Sequence, residues 1–306
     1  MIEVLAGGPL TSVQDPFGRP AWRHLGVPTG GAADSWSARL ANRLVGNPEA
    51  GALLEITFGG LELRFATEAL VAITGGVNVT LGGIPGELNL GVSVRAGDRI
   101  RIEGGGGARG YVAVAGGIAV PFVLGSASTD LRTGFGGHDG RALRQADRLS
   151  FGTEAGVASR WIGFARTGPI RIVRGPHPAK VSLDGEWTVG SEADRTGMRL
   201  DGRTLEGGEV PSMGLPLGAI QVPPDGRPIV MLADRPVTGG YPVPACVIRA
   251  DIGRVAQLRP GDRLQFASVS VEEALQAWRD SEERLEALEM IGSSSDDDLR
   301  WVGSHD

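Results

Sequence analysis

GAIQVPPDGRPIVMLADRPVTGGYP, residues 218–242, holds the strongest folding signal in the chain. At its centre, Pro224-Asp225-Gly226 favours a tight turn, because proline presets φ, aspartate bonds its own backbone and glycine accepts a positive φ. Short apolar runs lie on both sides of this turn, at residues 220–222 and 229–233, and are typical of buried strands. The stretch therefore predicts a β-hairpin.

The second strand of this hairpin ends in polar residues. Asp234 and Arg235 follow the apolar run directly, and the loop TGGY follows at residues 238–241. Two glycines without side chains allow another group to approach the backbone closely. The pattern indicates either a binding site at the end of the strand or a structural loop, in which Asp234 caps the loop and Arg235 pairs with it at the surface.

The glycine content indicates the fold class. The chain has 49 glycines and 19 prolines in 306 residues, and the glycines separate short apolar runs instead of following a collagen period. This arrangement is typical of sheets and barrels with many tight turns. The heptapeptides VRAGDRI (94–100) and LRPGDRL (258–264) are nearly the same turn and strand, and together with the chain length they favour two similar β domains.

Two helices interrupt the strands. Asp34 is a candidate N-cap for a helix that carries Trp36, Leu40 and Leu44 on one face and ends at Gly46. Residues 271–290 predict a second helix, with Ala274, Leu275, Trp278, Leu285 and Leu288 as its apolar stripe. Residues 11–20, which are rich in glycine, proline and polar side chains, predict a shaped loop. The domains are predicted at 1–160 and 161–268, followed by a C-terminal helix and acidic tail at 269–306.

Composition excludes several classes of protein. The single cysteine, Cys246, excludes an internal disulfide framework and an all-cysteine metal site. Residues 1–9 have no basic start, and no apolar run approaches the length needed to span a bilayer, so we expect a cytoplasmic protein without a membrane partner. A net charge of −6 without an arginine cluster argues against a nucleic-acid partner.

The scarcity of lysine excludes further kinds of site and reaction mechanism. Of the 30 basic residues, only Lys180 is a lysine, and no glycine-rich phosphate loop precedes it. Biotin carriers need a lysine flanked by methionines, whereas Ala179 and Val181 flank this one. We expect neither a Walker A site nor a biotin carrier, and the lack of a further lysine also excludes an amidase of the Ser–Lys type.

Motifs along most of the chain, to about Phe266, resemble the bacterial KipA-like family, also called the C subunit of ATP-dependent 5-oxoprolinase or subunit 2 of allophanate hydrolase. The blocks that carry the resemblance are GRP at 18–20, WRHLGVP at 22–28, LGS at 124–126, Arg195 with Gly197, and IQVPPDG, PIVMLADR and TGGYP within 220–242. These blocks occur in the family's order over about two hundred residues.

The resemblance implies a mainly β fold of two tandem cyclophilin-like β-barrel domains with few helices. It also implies a partner subunit of KipI type and a place among biotin-dependent carboxyltransferase domains such as that of urea carboxylase. In that class the reaction site lies in a groove where two subunits meet. Family members with 5-oxoprolinase activity use ATP hydrolysis and a third subunit to open 5-oxoproline, a lactam, to glutamate.

This activity assigns candidate roles to particular residues. A carbonyl oxygen that becomes an acyl phosphate requires charge stabilisation, a task suited to arginine forks and backbone N–H groups. Arg23 and Arg235 are candidates for it, as are the amides of Gly239 and Gly240. Asp234 is a candidate to act as a base or to hold an arginine.

The remaining candidates are a base and substrate-binding groups. His24, in a loop beside Arg23, is the one histidine that we expect to act as a base, and the scattered histidines predict no zinc site. Tyr241 is a candidate to donate a hydrogen bond to a carboxylate substrate. Gln221 either orients a substrate amide or bonds a neighbour on its strand. Ser126 and Thr238 complete the predicted substrate-binding set.

The leading hypothesis is a subunit of an ATP-dependent 5-oxoprolinase, active only with a KipI-like partner and acting on a small amide or lactam. ATP is used by the complex, and no residue of this chain is assigned to it. A second hypothesis is a carboxyltransferase component that acts on carboxybiotin and a urea-like substrate. A third is a non-catalytic antagonist of a KipI-type kinase inhibitor.

Overall fold

The computed structural model describes residues 1–153, 156–163, 167–177 and 182–290, and these residues are mainly β. Lys180 and the acidic run at 293–298 lie outside the described residues. The prediction of a mainly β fold with few helices is confirmed. Among the described residues, no helix combines the length and apolarity that crossing a bilayer requires.

The chain folds into two compact units that are not consecutive in sequence. The first unit contains residues 1–18 and 34–163 together with the described residues 285–290. The second unit contains residues 19–33 and the described residues between 167 and 284. The segment 19–33, which carries two of the predicted site residues, therefore belongs to a unit formed mostly by residues far away in sequence.

The first unit is built from two antiparallel sheets around one apolar core. One sheet has the strand order β11-β1-β4-β9-β6-β7 and the other the order β2-β3-β10-β5-β8. The strands of the two sheets are β1 (Ile2–Gly7), β2 (Leu10–Gln14), β3 (Leu53–Thr57), β4 (Leu61–Phe65), β5 (Ala69–Gly75), β6 (Val77–Leu81), β7 (Ile84–Pro85), β8 (Gly91–Val94), β9 (Arg99–Gly104), β10 (Arg109–Val114) and β11 (Arg148–Leu149). A further strand of this unit, β12 (Ser159–Trp161), lies outside both sheets.

The second unit contains a closed seven-stranded barrel in the order β13-β20-β17-β18-β15-β14-β21, with β21 parallel to β13 where the barrel closes. Trp187, Leu200, Ile220 and Val230 fill its interior. The strands of this unit are β13 (Ile170–Arg174), β14 (Glu186–Ala193), β15 (Gly197–Asp201), β16 (Met213–Gly214), β17 (Ala219–Gln221), β18 (Ile229–Met231), β19 (Thr238–Gly239), β20 (Ala245–Val247) and β21 (Arg263–Ser268). Outside the barrel, β16 pairs with β19.

The hairpin predicted from residues 218–242 is confirmed. β17 and β18 pair antiparallel, with Ile220 opposite Val230. At the turn, the Gly226 N–H donates to the Pro223 carbonyl at 2.9 Å, and Gly226 takes a φ of 74°. Local turn chemistry therefore sets the register of two central barrel strands.

The repeated GDR turns have the same geometry in both units. In each, the aspartate carboxylate (Asp98 or Asp262) accepts the backbone N–H three residues earlier at 2.7 Å. The glycine before it has a φ of 93° or 90°. The aspartate carbonyl then accepts the N–H of a partner residue, Phe65 at 3.0 Å in the first unit and Val189 at 2.8 Å in the second. This shared geometry supports an internal duplication.

The first predicted helix is confirmed as α1 (Ser35–Leu44), in which Asp34 Oδ1 accepts the Ser37 N–H at 3.1 Å. Elsewhere in the described residues, the helical structure consists of 3₁₀ turns at Pro20–Leu25 and Arg249–Asp251, the short α2 (Ile252–Ala256) and α3 (Val271–Leu285).

Two local predictions were wrong. The predicted helix 271–290 ends at Leu285, and its last residues form strand β22 (Leu288–Met290), which pairs with β12. Its buried face carries Ala277 and Ser281, whereas Leu275 of the predicted stripe is 52% exposed. Residues 11–14, the start of the predicted loop 11–20, instead belong to β2 because they pair with β3. In both places pairing with a distant strand overrides the local sequence signal.

We expect Gly226→Ala to destabilise the protein by about 1–3 kcal/mol through backbone strain, with an added steric cost. An alanine Cβ would lie 2.5 Å from the Leu205 carbonyl oxygen, at a positive φ. Gly208→Ala is the matched control, because a Cβ there meets nothing within 4 Å. Urea unfolding of both variants measures the difference, and equal midpoints would contradict this account of the turn.

Candidate functional site

An ion pair fixes the end of the barrel strand β18. Arg195, in the turn between β14 and β15, donates from Nε to Asp234 Oδ2 at 2.8 Å and from Nη2 to Asp234 Oδ1 at 2.9 Å. The Asp234 N–H donates back to the Arg195 carbonyl at 2.9 Å. Arg195 is only 4% exposed. Of the two roles predicted for Asp234, this geometry matches the holding of an arginine, because both carboxylate oxygens are occupied by one guanidinium.

The same arginine holds the segment that contains residues 19–33. Arg195 Nη2 also donates to the Gly31 carbonyl at 2.6 Å. Gly30 and Gly31 have φ values of 63° and 84°. A Cβ at Gly30 would lie 3.3 Å from Arg19 Nη1 and 3.9 Å from Asp234 Oδ1. Glycine is therefore favoured here both by backbone conformation and by the closeness of charged side chains.

Arg235 does not pair with Asp234 at the surface, so that structural alternative was wrong. Arg235 is 6% exposed, and it donates from Nε to the Leu215 carbonyl at 3.0 Å and from Nη1 to the Leu232 carbonyl at 3.3 Å. Burial, together with the positive charge of Arg23, lowers the pKa of Arg235 to about 10. Arg235 is therefore a buried cation at neutral pH.

Arg23 meets Arg235 at one carbonyl group. Arg23 lies in the 3₁₀ turn Pro20–Leu25, which begins with proline and ends at Gly26 in the left-handed conformation. Its Nη2 donates to the Leu215 carbonyl at 2.8 Å. The Leu215 N–H donates to the Val237 carbonyl at 2.9 Å, which orients this peptide. We call Arg23 and Arg235 the arginine pair.

His24 is exposed and has one free ring nitrogen. Its Nδ1 lies 2.9 Å from the Ala21 carbonyl oxygen, and a carbonyl only accepts, so Nδ1 carries the proton in the neutral ring. Its Nε2 is then the basic atom. The ring stacks on Trp22 with centroids 6.5 Å apart. The predicted role of His24 as a base thus has a defined atom.

The glycine loop after β18 is packed against the protein itself. A Cβ at Gly239 would lie 2.6 Å from Gln221 Nε2 and 2.7 Å from Leu215 Cδ1. Gln221 Nε2 also lies 3.5 Å from the Tyr241 carbonyl oxygen, a contact that matches the neighbour-bonding alternative for this residue. The Gly240 carbonyl accepts the Val210 N–H at 2.8 Å. The groups that approach these glycines closely are side chains and backbone of the same unit.

Two of the predicted substrate-binding side chains of the second unit are exposed. Thr238 lies in β19, opposite Gly214, and faces solvent. Tyr241 is 37% exposed. Their side chains are therefore accessible to a ligand, and their predicted role stays a prediction.

Ser126 belongs to the first unit and is almost fully buried. Its hydroxyl donates to Asp15 Oδ2, which also accepts the Ala127 N–H at 2.8 Å. Asp15 Oδ1 accepts the Gly18 N–H at 2.6 Å. In this structure Ser126 joins two loops of its own unit, and substrate binding by Ser126 stays a prediction.

Sequence reasoning did not identify two groups that organise the site. Arg195 occurred among the family blocks without a role, and a lone arginine in a turn does not reveal its partner. The Leu215 carbonyl has no local signal at all, since any residue carries one. The described residues contain no group of three or more His, Cys, Asp or Glu side chains arranged to hold a metal ion.

Residues 25–268 match the family model of the carboxyltransferase domain, subdomain A and B. The match spans most of the chain, and the chain belongs to this family. It is 37% identical over 303 residues to the 5-oxoprolinase C subunit of Escherichia coli K12, covering 94% of this chain and 97% of that protein. The corresponding protein of Haemophilus influenzae is 35% identical, with 95% and 98% covered.

A solved structure supports the fold. The crystal structure of the K. lactis urea amidolyase matches with a TM-score of 0.85 at 32% identity. This match covers 97% of the present chain but 20% of the urea amidolyase chain. The present chain thus spans nearly the full length of the two 5-oxoprolinase relatives and about a fifth of the larger enzyme.

We expect Asp234→Asn to reduce the free energy of unfolding by about 3 kcal/mol, because it removes the carboxylate from a buried guanidinium. Glu186→Gln is the matched control, since Glu186 pairs with the exposed Arg263 in the same unit. The loss of unfolding free energy in Glu186→Gln should stay below about 1 kcal/mol. Chemical denaturation of both variants tests the difference, and a loss for Asp234→Asn no larger than the control would show that the pair is not a structural clamp.

Proposed function

We propose that this chain is a subunit of an ATP-dependent 5-oxoprolinase that opens 5-oxoproline to glutamate with a KipI-like partner subunit, in the cytoplasm. The observation that carries the proposal is the similarity to two proteins named as the C subunit of 5-oxoprolinase, over nearly the whole of their length. A relation confined to one shared domain would not extend over 97% and 98% of those proteins.

The reaction sets requirements that this chain meets in part. Opening the lactam adds water to the carbonyl carbon and breaks the C–N bond, so a group must move a proton between the attacking water and the leaving nitrogen. His24 Nε2 is exposed and basic in the neutral ring. ATP supplies the driving force by transferring its γ-phosphoryl group to the carbonyl oxygen, and a second water then releases it from the acyl phosphate as inorganic phosphate, leaving ADP and glutamate. We assign ATP binding to the complex and not to residues of this chain.

Arginine side chains would stabilise the negative charges of the substrate during the reaction. The substrate carries a carboxylate, and the carbonyl oxygen gains negative charge as the bond opens. Arg23 directly precedes His24 in the chain, and Arg235 meets Arg23 at the Leu215 carbonyl, to which both arginines donate. In this proposal Asp234 acts as a positioning residue, because it holds Arg195, which in turn holds the Gly31 carbonyl.

A second candidate function is favoured by the family assignment. The carboxyltransferase family and the match to urea amidolyase support a carboxyltransferase component that takes a carboxyl group from carboxybiotin to a urea-like substrate. Biotin would then be carried by another polypeptide, because the single lysine of this chain lacks the flanking methionines of a carrier.

The proposal predicts ATP-dependent glutamate formation from 5-oxoproline by the complex of this chain with its KipI-like partner and the third subunit. Glutamate release should require all three polypeptides and should be insensitive to avidin. His24→Gln should lower kcat by about a hundredfold or more, as is usual for loss of a general base. Unchanged turnover without this chain would contradict the proposal.

The same assay separates the alternatives. Avidin-sensitive transfer of labelled carboxylate to urea would indicate the carboxyltransferase instead. Tight binding of the KipI-like partner without turnover of either substrate would indicate the regulatory antagonist.

A further inference from the structure

The arginine pair differs from two other arginines of the second unit, Arg171 and Arg195. Arg171 and Arg195 each make a two-pronged ion pair with an aspartate, at Asp251 and Asp234. Arg23 and Arg235 bind only carbonyl oxygens, and among the described residues neither forms an ion pair with a carboxylate. Two guanidinium groups thus share one neutral acceptor.

This arrangement is electrostatically unfavourable in the absence of an anion. The charge of Arg23 contributes to lowering the pKa of Arg235, which means that the two cations are close enough to repel each other. Burial weakens the screening of this repulsion by water. A protein that places two like charges together without a carboxylate leaves a position in which a bound anion would be strongly stabilised.

Hydrogen-bond donors remain available on both side chains. Arg23 uses Nη2 on Leu215, and among the described residues its Nε and Nη1 have no acceptor. Arg235 uses Nε and Nη1, and its Nη2 likewise has no acceptor in the described part of the chain. A carboxylate accepts two or more such donors, and guanidinium groups match its planar geometry.

The site is accessible to a small ligand. Arg23 is partly exposed, and the 3₁₀ turn that carries it has no buried residue. Leu25, two residues after Arg23, is 64% exposed, and Leu217, two residues after Leu215, is also exposed. Exposed apolar side chains close in sequence to these cationic donors suit a small organic acid better than a fully hydrated inorganic anion.

We propose that the arginine pair binds the carboxylate of a small cyclic acid, and that it selects the substrate by this group instead of acting on the reacting carbonyl oxygen. The inference rests on the proposed function for the identity of the acid, 5-oxoproline. The recognition of an oxyanion by the two guanidinium groups does not depend on that function. A phosphate group is the other source of an oxyanion, and the experiment distinguishes the two.

The first experiment measures binding to the full chain by calorimetry or ligand-observed NMR. The probes are 5-oxoproline, the neutral lactam 2-pyrrolidinone and inorganic phosphate. We expect 5-oxoproline to bind at least about tenfold more tightly than 2-pyrrolidinone, as charge-assisted hydrogen bonds imply. Arg23→Gln should abolish this preference without changing the affinity for 2-pyrrolidinone. Arg23→Lys, which keeps the charge but loses the fork, should give an intermediate preference.

Controls keep the result specific. Arg199→Gln removes an arginine of the same unit that pairs with Glu192 and Asp225, and it should leave the preference unchanged. Because Arg235 is buried, it is tested with Arg235→Lys, which keeps the positive charge, and not with a neutral substitution. A thermal unfolding curve verifies that each variant is folded. Equal affinities of wild type for the acid and the neutral lactam, or tighter binding of phosphate than of 5-oxoproline, would overturn the inference.

The second experiment uses turnover by the complex. Carboxylate recognition predicts that Arg23→Gln raises KM for 5-oxoproline about tenfold or more with a smaller change in kcat, whereas stabilisation of the carbonyl oxygen would lower kcat at constant KM. The latter result would contradict the inference and leave the proposed function intact. Arginine-dependent binding of 5-oxoproline by a complex without turnover would support the inference and refute the proposed function.

Discussion

The pairing of Arg195 with Asp234 is the contact on which the rest of the site depends. It joins the turn between β14 and β15 to the residue that follows β18, and through Gly31 it also holds the segment 19–33. Three pieces of chain that are distant in sequence are thus fixed by one guanidinium group. Since Arg195 is almost fully buried, the pair has little freedom to rearrange.

The arrangement of the neighbouring arginine follows from this contact. Because both oxygens of the Asp234 carboxylate bind Arg195, Arg235 donates to the carbonyls of Leu215 and Leu232 and pairs with no acidic side chain among the described residues. The segment held by Arg195 also carries Arg23, which reaches the same Leu215 carbonyl. Arg23 and Arg235 thus form no ion pair with a carboxylate within the part of the chain that the structure describes. Unfavourable local electrostatics of this kind are expected where a protein binds a ligand.

Predictions from the sequence were correct where the structure depends on residues that are close together in the chain. The turn at Pro224-Asp225-Gly226, the Asp34 cap and the two GDR turns all have the predicted geometry, because proline, aspartate and glycine act on backbone atoms within three residues. Predictions were wrong at residues 11–14 and 288–290. There the strand conformation comes from pairing with β3 and β12, which lie elsewhere in the sequence.

The amino-acid sequence alone established a mainly β protein with a central hairpin, and it indicated a polar site after β18. These features follow from hydrophobic periodicity and turn chemistry, which act over a few neighbouring positions. Only the folded chain decided that Asp234 binds Arg195 and that Arg23 and Arg235 meet at Leu215. Those contacts join residues 39 and 192 positions apart. The first follows from the pairing of β15 with β18 and the second from the packing of the 3₁₀ turn Pro20–Leu25 within the second unit, and neither has a signal in the sequence around it.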